Sequence, residues 1–219
     1  YLIEGWHLFE EAVQAGVTIE KIFALESHRD QLAAFSQTVW VSEEILRDLA
    51  DTQTPQGIVA VIQKEEVVLP DLRQGKFLFL EDVQDPGNVG TMIRTADAAG
   101  FTGVIVSDKS ADIYSLKTLR SMQGSHFHLP IYRMPLASFV EEAKKSNLPI
   151  LATTLSKESK DYRELSPLEN FALVMGNEGH GISSIMAESA DQLVHIGMKG
   201  RAESLNVAVA AGILMFYFS

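Results

Sequence analysis

Short apolar runs that alternate with helical patterns constrain the fold of this chain most. Phe77–Leu80 and Phe171–Met175 have the length and composition of buried strands, and each leads into a polar, glycine-containing stretch. Such alternation is typical of an open α/β sheet with parallel strands. Ligands bind beyond the carboxyl ends of these strands, so we expect the polar stretches to form one composite site.

Three polar stretches carry the candidate site. The first runs from Glu81 to Arg94, the second is Met175–Gly181 and the third is Glu203–Val207. The two glycines of the first stretch would let backbone N–H groups approach a ligand, and the helix after them would attract anions. The glycine spacing matches neither the dinucleotide fingerprint nor a Walker loop, so those nucleotide-binding motifs are excluded.

Most polar residues in these stretches also have an explanation that needs no function. Arg94 can pair with a nearby carboxylate and hold a loop, and Ser204 and Asn206 can be simple helix caps. His180 can be catalytic or a solvated loop side chain. An ordinary loop does not explain Glu178 between two glycines. Spacing alone leaves these alternatives open.

A pair of histidines raises the question of a metal site. His126 and His128 alternate, which predicts that they share one face of a strand. Two histidines at this spacing can bind a metal, but no third ligand is evident nearby. No metal is therefore predicted.

The charge distribution limits where nucleic acid could bind. The chain has a formal net charge of −11. Residues 1–70 carry 4 basic and 12 acidic side chains, and residues 71–219 carry 14 and 17. A phosphate-binding surface must be local, and the second part is the better candidate. The absence of cysteine fits a reducing cytoplasm.

The pattern predicts two folded units and a linker. Residues 1–62 form a small α/β sandwich that begins with a helix over Glu4–Ala15. Residues 63–75 form a polar linker with Pro70 and Gly75, and residues 76–219 form the larger unit. The apolar segment Leu205–Phe218 is too short to span a bilayer and predicts a buried helix.

The three stretches, in this order and spacing, resemble the SpoU/TrmH family of RNA ribose 2′-O-methyltransferases in the SPOUT superfamily. The likeness covers about residues 76–218, and residues 1–62 are similar to the small RNA-binding domain that many members carry. The motifs are Asn88-x-Gly90-x-x-x-Arg94-Thr95-Ala96, Gly176-Asn177-Glu178-Gly179-x-Gly181 and Glu203-Ser204-Leu205-Asn206-Val207.

The resemblance implies a fold that the composition alone could not suggest. It implies a Rossmann-like parallel sheet whose segment at about residues 150–218 forms a trefoil knot. It also implies a homodimer in which each active site borrows residues from the partner. The apolar segment Leu205–Phe218 fits a dimer surface, although a monomeric core would look the same.

The resemblance also assigns site residues. It implies S-adenosylmethionine as cofactor and a ribose 2′-hydroxyl as methyl acceptor, with no metal required. Arg94 would activate the hydroxyl as a base or as a fixed charge beside an RNA phosphate. The residues that would orient Arg94 and the ribose are Asn88, Glu178, Ser204 and Asn206. The cofactor contacts would be Thr153, Gly176, Ile196, Met198 and Leu205.

The sequence departs from the family pattern at two positions. Gly197 stands where the family usually has Pro, and Ala208 where it often has Ser, which affects the expected cofactor affinity more than the activity. A non-catalytic RNA-binding protein on the same fold is one alternative, and a dehydrogenase lacks its phosphate fingerprint. Ribosomal RNA is favoured over transfer RNA because of the N-terminal unit.

Overall fold

The computed structural model describes residues 1–69 and 71–219 and contains two β-sheets. The second sheet has seven strands, and all the pairings described within it are parallel. The predicted α/β class with a parallel sheet is therefore confirmed. Pro70, part of the predicted linker, lies outside the described residues.

The N-terminal unit is a mixed four-stranded sheet with two α-helices. The strand order is β1-β4-β2-β3, with only the β2–β3 pair parallel among the described pairings. The predicted start of the first helix is wrong. Glu4 belongs to a strand, and Gly5, with a φ of 93°, turns the chain into the helix. The elements are β1 (Leu2–Glu4), α1 (Trp6–Ala15), β2 (Ile19–Ala24), β3 (Thr38–Trp40), α2 (Glu43–Leu49) and β4 (Ile58–Ile62).

The second unit places its seven strands in the order β7-β6-β5-β10-β8-β11-β9. The strand predicted at Phe171–Met175 lies in the middle of this sheet. The elements are β5 (Lys76–Leu80), α3 (Pro86–Ala98), β6 (Gly103–Val106), α4 (Leu116–Met122), β7 (Ile131–Arg133), α5 (Leu136–Ser146), β8 (Ile150–Thr153), β9 (Lys160–Asp161), β10 (Phe171–Met175), α6 (Ser184–Ser189), β11 (Gln192–His195) and α7 (Val207–Phe218).

The central strands β5, β6, β8 and β10 are buried on both faces, which explains their continuous apolar runs. In β5, Leu78 and Leu80 belong to the core that includes α3, α4 and α7, while Phe77 and Phe79 belong to the core with α5 and α6. The first of these cores continues into the N-terminal unit. The two sheets are therefore joined by apolar packing.

The prediction that His126 and His128 share a strand face is wrong. Ser125–Phe127 form a 3₁₀ turn after α4, a helix that was not predicted. The His126 ring packs 3.9 Å from the Phe127 ring, centroid to centroid. The Nε2 atom of His128 lies 3.0 Å from a carboxylate oxygen of Glu11.

Helix α7 accounts for most of the predicted apolar segment, but only one of its faces is buried. Val209, Ile213 and Phe216 are 52%, 36% and 58% exposed. The prediction of a wholly buried helix is therefore wrong for this face. Within residues 1–69 and 71–219, none of the helices has both the length and the apolar character of a membrane span.

Gly90 shows how closely α3 packs on α4, and this gives it a role other than the predicted ligand contact. A Cβ atom at Gly90 would lie 2.5 Å from the Thr118 carbonyl oxygen and 2.5 Å from the Ser121 Cβ. We expect Gly90→Ala to lower the free energy of unfolding by about 2 kcal/mol, because the helices must separate. Thermal or urea unfolding measures the change.

Thr91→Ala is the matched control, since Thr91 is exposed on the same helix. It should change the free energy of unfolding by less than about 0.5 kcal/mol. Equal stability of the two variants would contradict the close packing.

Candidate active site

The candidate site lies at the carboxyl edge of the parallel sheet. Strand β5 leads into the loop before α3, and β10 leads into the Gly176–Gly181 loop. Strand β11 leads into residues 196–206, which end where α7 begins. Because these strands are parallel neighbours or next neighbours, their loops meet on one side of the sheet.

Glu178 joins the second motif to the first. Its carboxylate accepts hydrogen bonds from the backbone N–H groups of Gln84 and Asp85, both at 3.1 Å. It also accepts one from Nδ2 of Asn88 at 3.1 Å. A carboxylate has the acceptor capacity for all three donors. This arrangement explains the glutamate between glycines that an ordinary loop could not.

Asn88 relays this connection to the third motif. Its Oδ1 accepts a hydrogen bond from Nδ2 of Asn206 at 3.0 Å. The Oδ1 of Asn206 caps α7 by accepting from the backbone N–H groups of Ala208 at 2.9 Å and Val209 at 3.3 Å. Asn206 is thus a helix cap and also a member of the site.

Asn177 is a positioning residue that sequence reasoning did not single out. Its Nδ2 donates to the Asp82 carbonyl oxygen at 2.8 Å, and its Oδ1 accepts from the Gly179 N–H at 2.9 Å. Asp82 has a φ of 55°, an uncommon conformation for a residue with a side chain. The asparagine between the motif glycines was the available signal, because such side chains often bond to nearby backbone.

Opposing effects set the pKa of Glu178. Burial makes the largest single contribution and raises the pKa. The hydrogen bonds, chiefly those from Asn88 and the Gln84 N–H, together outweigh it, so the pKa of the carboxyl lies below its usual value of 4.5. Glu178 is therefore an anion at neutral pH.

A cavity of about 550 Å³ opens beside this network. Its lining includes all the residues that the resemblance assigned to the cofactor, and also Glu178 and Ser204. The five predicted cofactor residues are Thr153, Gly176, Ile196, Met198 and Leu205. A volume of this size is typical of sites for small organic ligands.

The cavity wall combines tightly packed backbone with apolar side chains. A Cβ atom at Gly176 would lie 2.3 Å from the Gly181 carbonyl carbon, so only glycine fits there. The Thr153 hydroxyl donates to the Val174 carbonyl oxygen at 2.9 Å. That hydroxyl therefore stabilises the sheet while its residue lines the cavity. His180 is exposed at the rim.

Arg94 is the predicted site residue that the structure places apart from the others. It lies on α3, which starts at Pro86, so it is in the third turn of the helix. Its side chain is exposed, and it is absent from the lining of the cavity. To the part of the chain that the structure describes, it makes no side-chain hydrogen bond or salt bridge.

Helix α7, which bears the exposed apolar face, packs against α3, the helix that carries Arg94. Thr95 of α3 approaches within 3.7 Å of the Cβ position at Gly212. Val209, Ile213 and Phe216 are spaced three or four residues apart, so they share one side of α7. An apolar face and an exposed arginine are thus presented by two packed helices.

The pKa of Glu178 predicts a pH-dependent stability. A depressed pKa contributes stability that is fully present above the unfolded value of 4.5 and is lost as the pH falls through the folded value. We expect Glu178→Gln to lower the free energy of unfolding at pH 7 by about 1 kcal/mol, because the site is partly solvated. Thermal unfolding from pH 7 to pH 3 should show this difference shrinking.

Glu169→Gln is the control, since Glu169 is exposed and makes no side-chain hydrogen bond or salt bridge within the described ranges. It should leave the unfolding curve unchanged across the same pH range. A Glu178→Gln deficit that stayed constant down to pH 3 would show that the carboxylate charge does not contribute.

Two family comparisons cover nearly the whole chain. Residues 75–216 match the SpoU rRNA Methylase family. Residues 1–60 match the MRM3-like substrate binding domain. The first match contains all three motifs and every residue of the candidate site.

Individual relatives agree with these matches. A 23S rRNA (guanosine(2553)-2′-O)-methyltransferase, RlmP, of Bacillus subtilis is 43% identical and covers 99% of this chain and 87% of its own. An AdoMet-bound rRNA methyltransferase from Sinorhizobium meliloti has a TM-score of 0.87 at 33% identity, covering 99% and 85%. The SpoU methyltransferase AviRb from Streptomyces viridochromogenes, in complex with AdoMet, has a TM-score of 0.87 at 28% identity, covering 99% and 88%.

These matches confirm the resemblance read from the three motifs. The predicted likeness of residues 1–62 to a small RNA-binding domain has a counterpart in the match of residues 1–60 to the MRM3-like substrate binding domain. Membership of this family also implies a trefoil knot, at about residues 150–218. The chain belongs to the SpoU rRNA methylase family.

Proposed function

We propose that this protein is an S-adenosylmethionine-dependent enzyme that methylates a ribose 2′-hydroxyl in RNA, with ribosomal RNA as the substrate class. The observation that carries the proposal is the hydrogen-bonded chain from Glu178 through Asn88 to Asn206 beside the cavity. It unites the three motifs at one site, as a shared reaction requires. The 43% identical relative, named as a 23S rRNA methyltransferase, supports the choice of ribosomal RNA over transfer RNA.

The cavity fits the cofactor in size and in chemistry. Ile196, Met198 and Leu205 offer apolar surface for an adenine ring. The glycine backbone around Gly176 allows close approach and offers polar groups to the edge of the ring. When bound, S-adenosylmethionine supplies an electrophilic methyl group on a sulfonium.

Arg94 acts on the ribose side in this proposal. A ribose hydroxyl is a weak nucleophile, so its oxygen must gain negative charge as it attacks the methyl carbon. A guanidinium keeps its protons at neutral pH, so we assign Arg94 a fixed positive charge that stabilises the developing oxyanion beside an RNA phosphate. The hydroxyl proton leaves to the phosphate or to solvent.

Asn88, Glu178, Ser204 and Asn206 orient the ribose in this proposal. Asn88, Glu178 and Asn206 already form one hydrogen-bonded chain. Ser204 lines the cavity together with Glu178 and the proposed cofactor contacts. Holding the hydroxyl in line with the methyl group accounts for much of the rate enhancement.

We further propose that the enzyme works as a homodimer through the exposed face of α7. Val209, Ile213 and Phe216 would be buried by the same face of a second copy, which suits a twofold interface. Arg94 is exposed on the helix beside that face, and in its own chain it lies outside the cavity lining. A partner's cavity is where such an arginine can act.

The two units divide the work in this proposal. Residues 1–62 select the RNA, residues 63–75 link the units, and residues 76–219 bind the cofactor and dimerise. The match of residues 1–60 to a substrate binding domain supports this division. A cytoplasmic location follows from the proposed substrate.

Substitution of Arg94 separates chemistry from cofactor binding. We expect Arg94→Ala to lower labelled-methyl transfer to RNA by at least about a hundredfold, as for loss of one oxyanion-stabilising group. Arg94→Lys should not rescue, because lysine lacks the planar fork. Calorimetry should give an unchanged affinity for S-adenosylmethionine in both variants. Near-wild-type transfer by Arg94→Ala would exclude the assigned role.

Mixing two inactive variants tests the shared site. Arg94→Ala and Glu178→Gln subunits are combined, dissociated and allowed to reassociate. Random reassortment of a symmetric dimer should restore about a quarter of the sites if Arg94 serves the partner's cavity. The control is the Arg94→Ala/Glu178→Gln double variant mixed with itself, which should stay inactive. Absence of rescue in confirmed mixed dimers would place Arg94 in its own chain's site.

A further inference from the structure

Asp161 occupies the space beside Gly197 in the cofactor loop. A Cβ atom at Gly197 would lie 2.7 Å from Oδ2 of Asp161, closer than side chains approach in real structures. Gly197 is not among the glycines with a positive φ. A larger residue at this position would therefore displace the Asp161 carboxylate, while the backbone conformation itself does not need glycine.

Asp161 is itself held firmly. Its carboxylate accepts hydrogen bonds from Arg163 through Nε at 2.7 Å, Nη2 at 2.8 Å and the backbone N–H at 3.1 Å. The Asp161 position pairs with His195 in the register of β9 and β11, and the side chain is 15% exposed. The bonds from Arg163, with a smaller contribution from the Gly197 N–H, hold the pKa of the Asp161 carboxyl far below its usual value.

The segment that follows Asp161 is anchored to α7. The hydroxyl of Tyr217 donates to the carbonyl oxygens of Leu165 at 3.2 Å and Arg163 at 3.4 Å. The segment that carries Asp161 is thus held to both β11 and α7, the two elements that the cofactor loop connects. Ile196 and Met198, on either side of Gly197, both line the cavity.

We propose that Asp161 is a positioning residue for the cofactor, which holds the loop at Gly197 so that Ile196 and Met198 are set for binding. A glycine in this loop would otherwise sample many conformations, and ordering it on binding would weaken affinity. The carboxylate removes that freedom before the cofactor arrives. The inference rests on the proposed function in that the ligand of this cavity is S-adenosylmethionine.

Asp161→Ala tests the assignment in the full-length protein. We expect the Kd and the KM for S-adenosylmethionine to rise about tenfold, because loop order is lost. The kcat at saturating cofactor and the KM for RNA should stay within about twofold, which general damage to the fold would not produce. Asp161→Asn keeps the volume and an acceptor, so it should retain most of the affinity.

Asp71→Ala is a close structural control. Like Asp161 with Arg163, Asp71 accepts two hydrogen bonds from an arginine two residues later, from Arg73 Nε at 2.9 Å and Nη2 at 2.7 Å. It lies outside the lining of the cavity. Its loss should leave the affinity for S-adenosylmethionine unchanged.

Gly197→Ala gives a second, independent readout. In the wild-type background it should weaken cofactor binding several-fold, because the new Cβ displaces the carboxylate. In the Asp161→Ala background it should cause no further loss, because the space is free. Such non-additivity is expected of two residues in contact.

The outcomes separate this inference from the proposed function. If the wild-type protein gives no heat and no thermal shift with S-adenosylmethionine, the proposed function fails and this inference with it. If the wild type binds and Asp161→Ala binds equally well, only the positioning role is overturned. Should Asp161→Ala fail to fold, wild-type affinity in Gly197→Ala would overturn it, and a several-fold loss there would support it.

Discussion

The architecture of the candidate site depends on a carboxylate that can only accept hydrogen bonds. Because Glu178 accepts, Asn88 must point its Nδ2 toward it and its Oδ1 away. That Oδ1 then faces the Nδ2 of Asn206, which leaves the Oδ1 of Asn206 to cap α7. The ionised Glu178 side chain thereby sets the direction of each hydrogen bond from Asn88 to Asn206. It also sets the cap of α7, a helix that begins more than twenty residues later.

The cofactor side and the ribose side of the site differ in what one chain supplies. The cavity is lined by loops of a single chain, and its glycines and apolar side chains are already in place. On the proposed ribose side, Arg94 is exposed on α3 and lies outside the lining of the cavity of its own chain. In the proposed dimer, burial of the exposed apolar face of the neighbouring α7 would stabilise the association with a second chain. That chain would contribute a second Arg94. Cofactor binding would then depend less on dimer formation than catalysis would.

Much of the sheet and the composition of the cavity could be predicted from the sequence. Buried strands such as β10 have continuous apolar runs, and glycine-rich motifs mark the loops that follow them. Local errors came from features that such patterns do not encode. Gly5 separates β1 from α1, although the residues on both sides suit a helix. Helix α4 was missed although Ser115 caps it, because its short apolar spacing lies between two loops.

The relative placement of side chains on one helix was harder still to predict. Asn88 and Arg94 belong to one motif, and a motif suggests proximity. Six residues along a helix rotate the second side chain by about 120° from the first. Asn88 bonds to Glu178 and Asn206, whereas the Arg94 side chain is exposed. Spacing therefore places Arg94 on another face of α3. What that face contacts would depend on a partner chain, which cannot be read from the sequence of one chain.

The N-terminal unit is strongly acidic, which is unfavourable for contact with RNA phosphates, but part of its charge is paired inside the molecule. Glu4 and Asp51 contact Arg120 of α4, at 3.6 Å and 2.7 Å. Glu11, also in the N-terminal unit, contacts His128 of the second unit. These carboxylates face the second unit instead of an RNA backbone, so the net charge of residues 1–70 overstates the repulsion that a bound phosphate would meet. Glu4 and Glu11 are largely buried at this junction, whereas Asp51 is exposed, so the acidic pairs lie beside the apolar core that the two units share.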